Sequence, residues 1–187
     1  MAVTFSVNTS GTPGGVQSSY ALVHDALLEG QLSDIRDNTI GTYVNETANP
    51  IAFGNVLAYA SGSSIPNSAV TISGLVNPVV GVNVLTYVDE TALDSNNRPG
   101  VKGKQVMNVA NEGAVAMYVH GAVTPATAVR VIHKASGVEY AGQLRSASVS
   151  GRTAILANAR YLTSVTTSGL AIVELNGPSF TLTADNA

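Results

Sequence analysis

The side chains able to do chemistry are few in this sequence, and their spacing decides what they could do. His24, His120 and His133 stand apart, with no second histidine or carboxylate at helical spacing to complete a metal site. Asp94 and Asn96 begin a calcium-loop pattern. Pro99 then holds the position that needs glycine, and Gln105 the one that needs a bidentate glutamate. Gly103-Lys104 matches the end of a phosphate-binding loop, but Arg98 stands where glycine is required and Gln105 where Ser or Thr is required. Asp89 and Glu90 are adjacent, so a strand would turn them to opposite faces, which suits joint acid–base work badly. No GxSxG elbow exposes a serine. The expectation is a chain without catalytic residues, metal or cofactor, whose work is binding.

The densest cluster of charge is basic: Arg98, Lys102 and Lys104. Nucleic-acid binding normally draws on more positive charge interleaved with aromatics, whereas here the isoelectric point is about 5.5. No nucleic acid is expected as a partner. Apolar runs are far shorter than the roughly 20 residues of a membrane span. The first thirty residues lack a basic start followed by an apolar run, so no secretory signal is expected.

Charge is scarce throughout. Asp, Glu, Lys and Arg make up 11% of the chain, against about 25% in ordinary soluble proteins. Mean hydropathy is +0.22. Interface cores are depleted of ionised groups, so this composition points to a surface covered by other subunits. A monomeric Ser/Thr-rich domain is the plainer alternative. Residues 1–97 carry eight acids and one base, while residues 98–187 carry eight bases and four acids. Such asymmetry can attract, within a subunit or between subunits. Cysteine is absent, so disulfides and thiolate sites play no part.

The elements that must carry these residues read mainly as strands. Residues 1–17 are Gly/Ser/Thr-rich and suggest an extended arm. Ser18–Glu29 has one apolar face and Gly30 as a stop, and is the one plausible helix there. Residues 45–50 form a turn-rich break. β-branched runs then follow at Ile51–Tyr59, Ala69–Ile72, Val79–Val88, Gly113–His120, Ala128–Lys134, Val138–Leu144, Thr153–Leu156 and Leu170–Leu175. Asp94–Gly103 reads as a long exposed loop, and Phe180–Thr183 as a last short strand after the Asn176-Gly177 turn. Short strands at about ten-residue spacing imply a barrel or jelly-roll-like sandwich with at most one or two short helices. The expected division is an arm and linker over residues 1–50 and a β-rich body over 51–187.

Three stretches, taken in order, carry a resemblance. Gly30-Gln31-Leu32-Ser33-Asp34-Ile35-Arg36-Asp37-Asn38-Thr39-Ile40 continues to Tyr43-Val44 and Pro50-Ile51-Ala52-Phe53-Gly54. Gly81-Val82 leads into Val106-Met107-Asn108-Val109-Ala110-Asn111-Glu112-Gly113-Ala114-Val115. Ala159-Arg160-Tyr161-Leu162-Thr163-Ser164-Val165 precedes Gly169-Leu170-Ala171-Ile172-Val173-Glu174-Leu175-Asn176. Together, over residues 30–176, they resemble the structural cement, or capsid decoration, proteins of tailed bacteriophages. The resemblance implies a virion protein on the outer surface of the head, commonly a homotrimer, with an extended N-terminal arm and a β-barrel or jelly-roll-like body. It would lock neighbouring major capsid protein subunits together after synthesis in the host cytoplasm. Residues 1–29 match nothing in that pattern.

Under that reading Asp34, Ile35, Arg36, Asp37, Asn38 and Ile40 belong to a contact between arm and neighbour. Their alternative is a capped turn packed on the parent domain. Arg98, Lys102 and Lys104 become a contact to acidic shell residues, or else a solvated loop. Two other functions stay open: a different virion β-protein, such as a tail-tube or head-fibre component, and a carbohydrate-binding or hydrolytic β-sandwich. The second is disfavoured by the absence of Trp and by only 5% aromatic residues.

Overall fold

The structure is a computed structural model that describes residues 27–33, 38–85 and 91–185. Among them every regular element is a strand: β1 (Thr39–Asn45), β2 (Ile51–Ala52), β3 (Val56–Tyr59), β4 (Ser68–Thr71), β5 (Val79–Asn83), β6 (Thr91–Leu93), β7 (Pro99–Val101), β8 (Val106–His120), β9 (Ala128–Ile132), β10 (Leu144–Arg145), β11 (Thr153–Tyr161), β12 (Gly169–Asn176) and β13 (Leu182–Ala184). Alternation drives strand formation most clearly in β12. Ala171, Val173 and Leu175 are buried there while Leu170, Ile172 and Glu174 face outward.

Pairing closes the sheet twice around one long strand. β1, β4, β3, β5 and β8 form one ring, closed by antiparallel pairing of β1 with β8. β8, β10, β9, β11 and β12 form a second, closed by β12 on β8. β8 therefore serves both rings. Its front pairs with β1 through Glu112, and its back pairs with β12 from Glu112 to Val119. The hand-over falls at Gly113, whose φ is 124°. A Cβ there would run into the Asn38 side chain.

Two apolar clusters fill this frame. Tyr43, Leu57, Ala69, Val80, Met107 and Val109 meet in the first ring. Neighbours with the opposite phase, Val56, Val79, Val82 and Ala110, join Val115, Met117, Val131, Leu144, Leu156 and Val173 in the larger cluster. All of β5 is buried because its two faces serve different clusters. Gly81, with φ 146°, lets β5 approach β8; a Cβ at that position would meet the Ala110 carbonyl.

A small sheet, β2–β7–β6, caps the first cluster with Ile51 and Val101. Two buried amides stitch it down. Asn83 Nδ2 donates to the Ile51 and Ala52 carbonyls, both at 3.1 Å. Asn45 Nδ2 reaches the carbonyls of Asn49, Val101 and Lys102 at 2.9, 3.3 and 3.1 Å.

The β-barrel expectation holds, but several boundaries move. The first strand is β1, ahead of the expected Ile51, so residues 39–45 are woven into the main sheet. The expected exposed loop over residues 94–103 contains β7, with Gly100 and Val101 buried. The expected strand Val138–Leu144 is instead turn-rich and contributes only its end to β10. Most of the expected helix over residues 18–29 lies outside the described residues, and residues 28–31 form a turn closed by the Gln31 N–H on the Leu28 carbonyl. Antiparallel backbone bonds hold the chain after that turn to β8: Gly30 N–H to the Ala116 carbonyl at 2.8 Å and Ser33 N–H to that of Ala114 at 2.9 Å.

Candidate interaction surface

The outer face of the β1–β8 pair is a strip without ionised side chains. Period two puts Ile40, Thr42 and Val44 on one face of β1, and Tyr43 and Asn45 on the inner one. Register sets Val44 opposite Val106 and Thr42 opposite Asn108. Ile40 is 44% exposed and Val106 56% exposed, and both sit on paired strands, unlike the still more exposed Val76 and Val138 of the loops. Polar pairs bound the strip. At one end Lys104 Nζ lies 3.0 Å from Glu46 Oε1 and donates to the Glu46 carbonyl. At the other end Thr39 Oγ1 donates to Glu112 Oε2 at 2.9 Å. Beneath it Tyr43 meets Tyr59 edge-on, with ring centroids 6.0 Å apart. Burial, then the Tyr59 hydroxyl, pushes the Tyr43 phenol up to about 12.

The residues singled out from sequence divide between two places. Ile40 lies on the strip and Lys104 at its end, with Lys102 exposed two residues earlier. Asn38 packs against Gly113 beside the Glu112 end. Asp34, Ile35, Arg36 and Asp37 lie outside the described residues. Thr42, Val44, Val106 and Asn108 were not singled out from sequence. The β-branched alternation of Ile40, Thr42 and Val44 was the signal that could have found them.

Arg98 sits elsewhere, in a half-buried polar cluster near the seam of the rings. Its Nε and Nη2 donate to Asp94 Oδ2 at 2.9 and 2.8 Å, and Nη1 donates to Asn55 Oδ1 at 3.1 Å. The guanidinium stacks 4.9 Å from the centre of the Tyr140 ring. Asp94 Oδ1 accepts the N–H groups of Asn96 and Arg98 at 2.8 and 3.0 Å. Burial acts to raise the Asp94 carboxyl, but these backbone bonds and Arg98 together hold it below its ordinary value. The half calcium-loop pattern is thus an Asx turn closed by an arginine. A cleft of about 470 Å³ opens beside it, lined by Asn49, Pro50, Asn55, Leu93 and Tyr140 among others. His120 Nε2 lies 2.8 Å from Gln143 Oε1, also in this region. Among the described residues no three of His, Cys, Asp and Glu gather as a metal site would require.

Compared with known proteins, residues 16–176 match the family of structural cement proteins typified by E217 gp24 and Pam3 gp6. The chain belongs to the structural cement proteins. No curated protein matches it. A chain from the solved capsid of Myoviridae phage XM1 shares the fold of this cement protein, with a TM-score of 0.61 and 15% identity over 87% of this chain and 99% of that one. Family membership covers both rings as far as the end of β12, and β13 follows it.

Proposed function

We propose that this cement protein binds the outside of a phage head and locks neighbouring major capsid protein subunits together. The observation that carries the reading is the family match over residues 16–176. The geometry is compatible with it, since a doubly closed barrel leaves few free strand edges and presents a fixed surface. On that surface the β1–β8 strip is the region best suited to being covered, with apolar centre and polar ends in the manner of an interface.

Further parts of the reading follow the resemblance. Copies of the chain assemble as a homotrimer, the protein is made in the host cytoplasm, and it ends on the outer face of the virion. Asn38, Ile40, Lys102 and Lys104 make neighbour contacts together with Asp34, Ile35, Arg36 and Asp37. Arg98 contributes by holding the loop that carries its neighbours, because its own donors are directed to Asp94 and Asn55. Weak contacts repeated over a shell act together once each copy is tethered.

Co-sedimentation of the purified chain with undecorated heads tests the proposal. Saturable binding is expected, and a variant lacking residues 1–40 should decorate at reduced occupancy. A full-length chain that stays in the supernatant at every concentration would rule the proposal out. Full occupancy by the truncated chain would remove the arm contact alone.

A further inference from the structure

Residues 28–33 are docked on the middle of β8, along the edge between its pairing with β5, which ends at Ala110, and its pairing with β10, which starts at Val119. Four backbone bonds hold them. Gly30 and Ser33 donate to the carbonyls of Ala116 and Ala114, Ala116 donates to Gln31, and Leu85 donates to Gly30, all at 2.8–2.9 Å. Gly30 is also wedged against Phe53 and Gly54, where a Cβ would not fit, and its φ of 81° suits glycine.

Glu29 stands at its centre. Its side chain is about one-fifth exposed and packs on Gly54. Oε1 is buried without a hydrogen-bond donor, at 3.9 Å from Arg98 Nη1. The guanidinium is turned to Asp94 at 2.8 Å instead. One arginine therefore faces two carboxylates and bonds to one, which leaves Gln143 as the side chain that hydrogen-bonds the Glu29 carboxyl.

We propose that Glu29 is a proton-sensitive fastening: its neutral form grips residues 28–33 on β8, and its ionised form loosens them. Burial is the largest influence and pushes this carboxyl up to about 7, against the pull of Arg98, with Asp94 pushing the same way as burial and Gln143 opposing it. The other groups facing the cluster are Tyr140, stacked on Arg98, and His120, which meets Gln143 from β8. The sign follows from linkage. A carboxyl with its folded value raised holds a proton in the docked state that it releases when undocked. Docking is fully supported below the ordinary glutamate value and weakens as pH rises through about 7.

Hydrogen exchange on the full chain tests this, read at the amides of Gly30, Ser33, Leu85 and Ala116 and corrected for the intrinsic pH dependence of exchange. Protection should fall on the order of tenfold between pH 6 and 8.5, while the amides of β9 and β11 hold steady. Glu29→Gln should keep high protection across that range. The carboxyl carbon shift of Glu29 in the unmodified chain gives a second readout that needs no variant, with its midpoint expected near neutral pH. Protection that is flat with pH, an unchanged pH response in Glu29→Gln, or a midpoint in the ordinary glutamate range would each overturn the inference.

Discussion

At the scale of single residues, this fold is constrained most tightly where it has no side chain. A Cβ on Gly100 would fall on the Ile51 carbonyl and the Ala52 backbone, so β7 can approach β2 within the small sheet only through glycine. Gly62, unlike Gly100, has a positive φ, of 78°, yet nothing lies within 4 Å of where its Cβ would sit. Gly100→Ala should therefore cost about 3 kcal/mol or more, because the obstruction is backbone and cannot step aside. Gly62→Ala should cost only about 1 kcal/mol, from its left-handed conformation. Urea unfolding of the two variants checks the ranking, and equal losses would contradict it. Neither role was legible in sequence, where both glycines read as punctuation. The same holds for Arg98. The sequence placed it in a basic patch with Lys102 and Lys104, but beside its local partner Asp94 it meets Asn55 and Tyr140, from segments brought together only by tertiary structure.

At the scale of elements, β8 sets the architecture, and only its back half was visible in advance. Gly113–His120 alternates cleanly. Residues 106–112 interrupt the pattern with Asn108, Asn111 and Glu112, and the buried phase shifts at Val109–Ala110 as the strand passes from one cluster to the other. A period-two search loses a strand that changes its buried face. β1 was missed for a related reason, since its inward positions are Gly41, Tyr43 and Asn45 and its β-branched residues face out. The turn-rich 138–143 segment shows the opposite case, since its apolar residues adjoin β10 without forming a strand themselves. Because β8 feeds both clusters, truncation there should be felt widely. Met117, fully buried in the larger cluster, should lose 2–5 kcal/mol on replacement by Ala. Val106→Thr on the exposed side of the same strand should stay within about 0.5 kcal/mol. The unfolding midpoints of the two variants in one denaturant separate these expectations, and comparable losses would mean that β8 is not the shared wall of both rings.

At the scale of the whole molecule, barrel closure explains why so uncharged a protein can keep its strands from pairing with strangers. Both rings return to β8, which leaves chiefly the small sheet and β13 as edges. What remains open to partners is then a matter of side chains on faces, and in the β1–β8 strip exposed β-branched groups lie on paired strands without charge, whereas the more exposed Val76 and Val138 sit in loops. Low charge was plain from composition alone. Its location was not, because the strip unites residues more than sixty positions apart. If the strip is covered on the head, Val106→Asp should prevent that by placing an unpaired carboxylate against an apolar partner surface. Occupancy on undecorated heads should fall on the order of tenfold or more. The melting midpoint should hardly move, since the site is exposed in the free chain. Val138→Asp supplies the control: Val138 is 74% exposed in the loop between β9 and β10 and should bind as the unmodified chain does. Raising salt should weaken the unmodified chain's binding only in part, through the charged contacts such as Lys102 and Lys104, because the centre of the contact is uncharged. Full decoration by Val106→Asp, or an equal loss from Val138→Asp, would move the shell-facing surface away from β1 and β8.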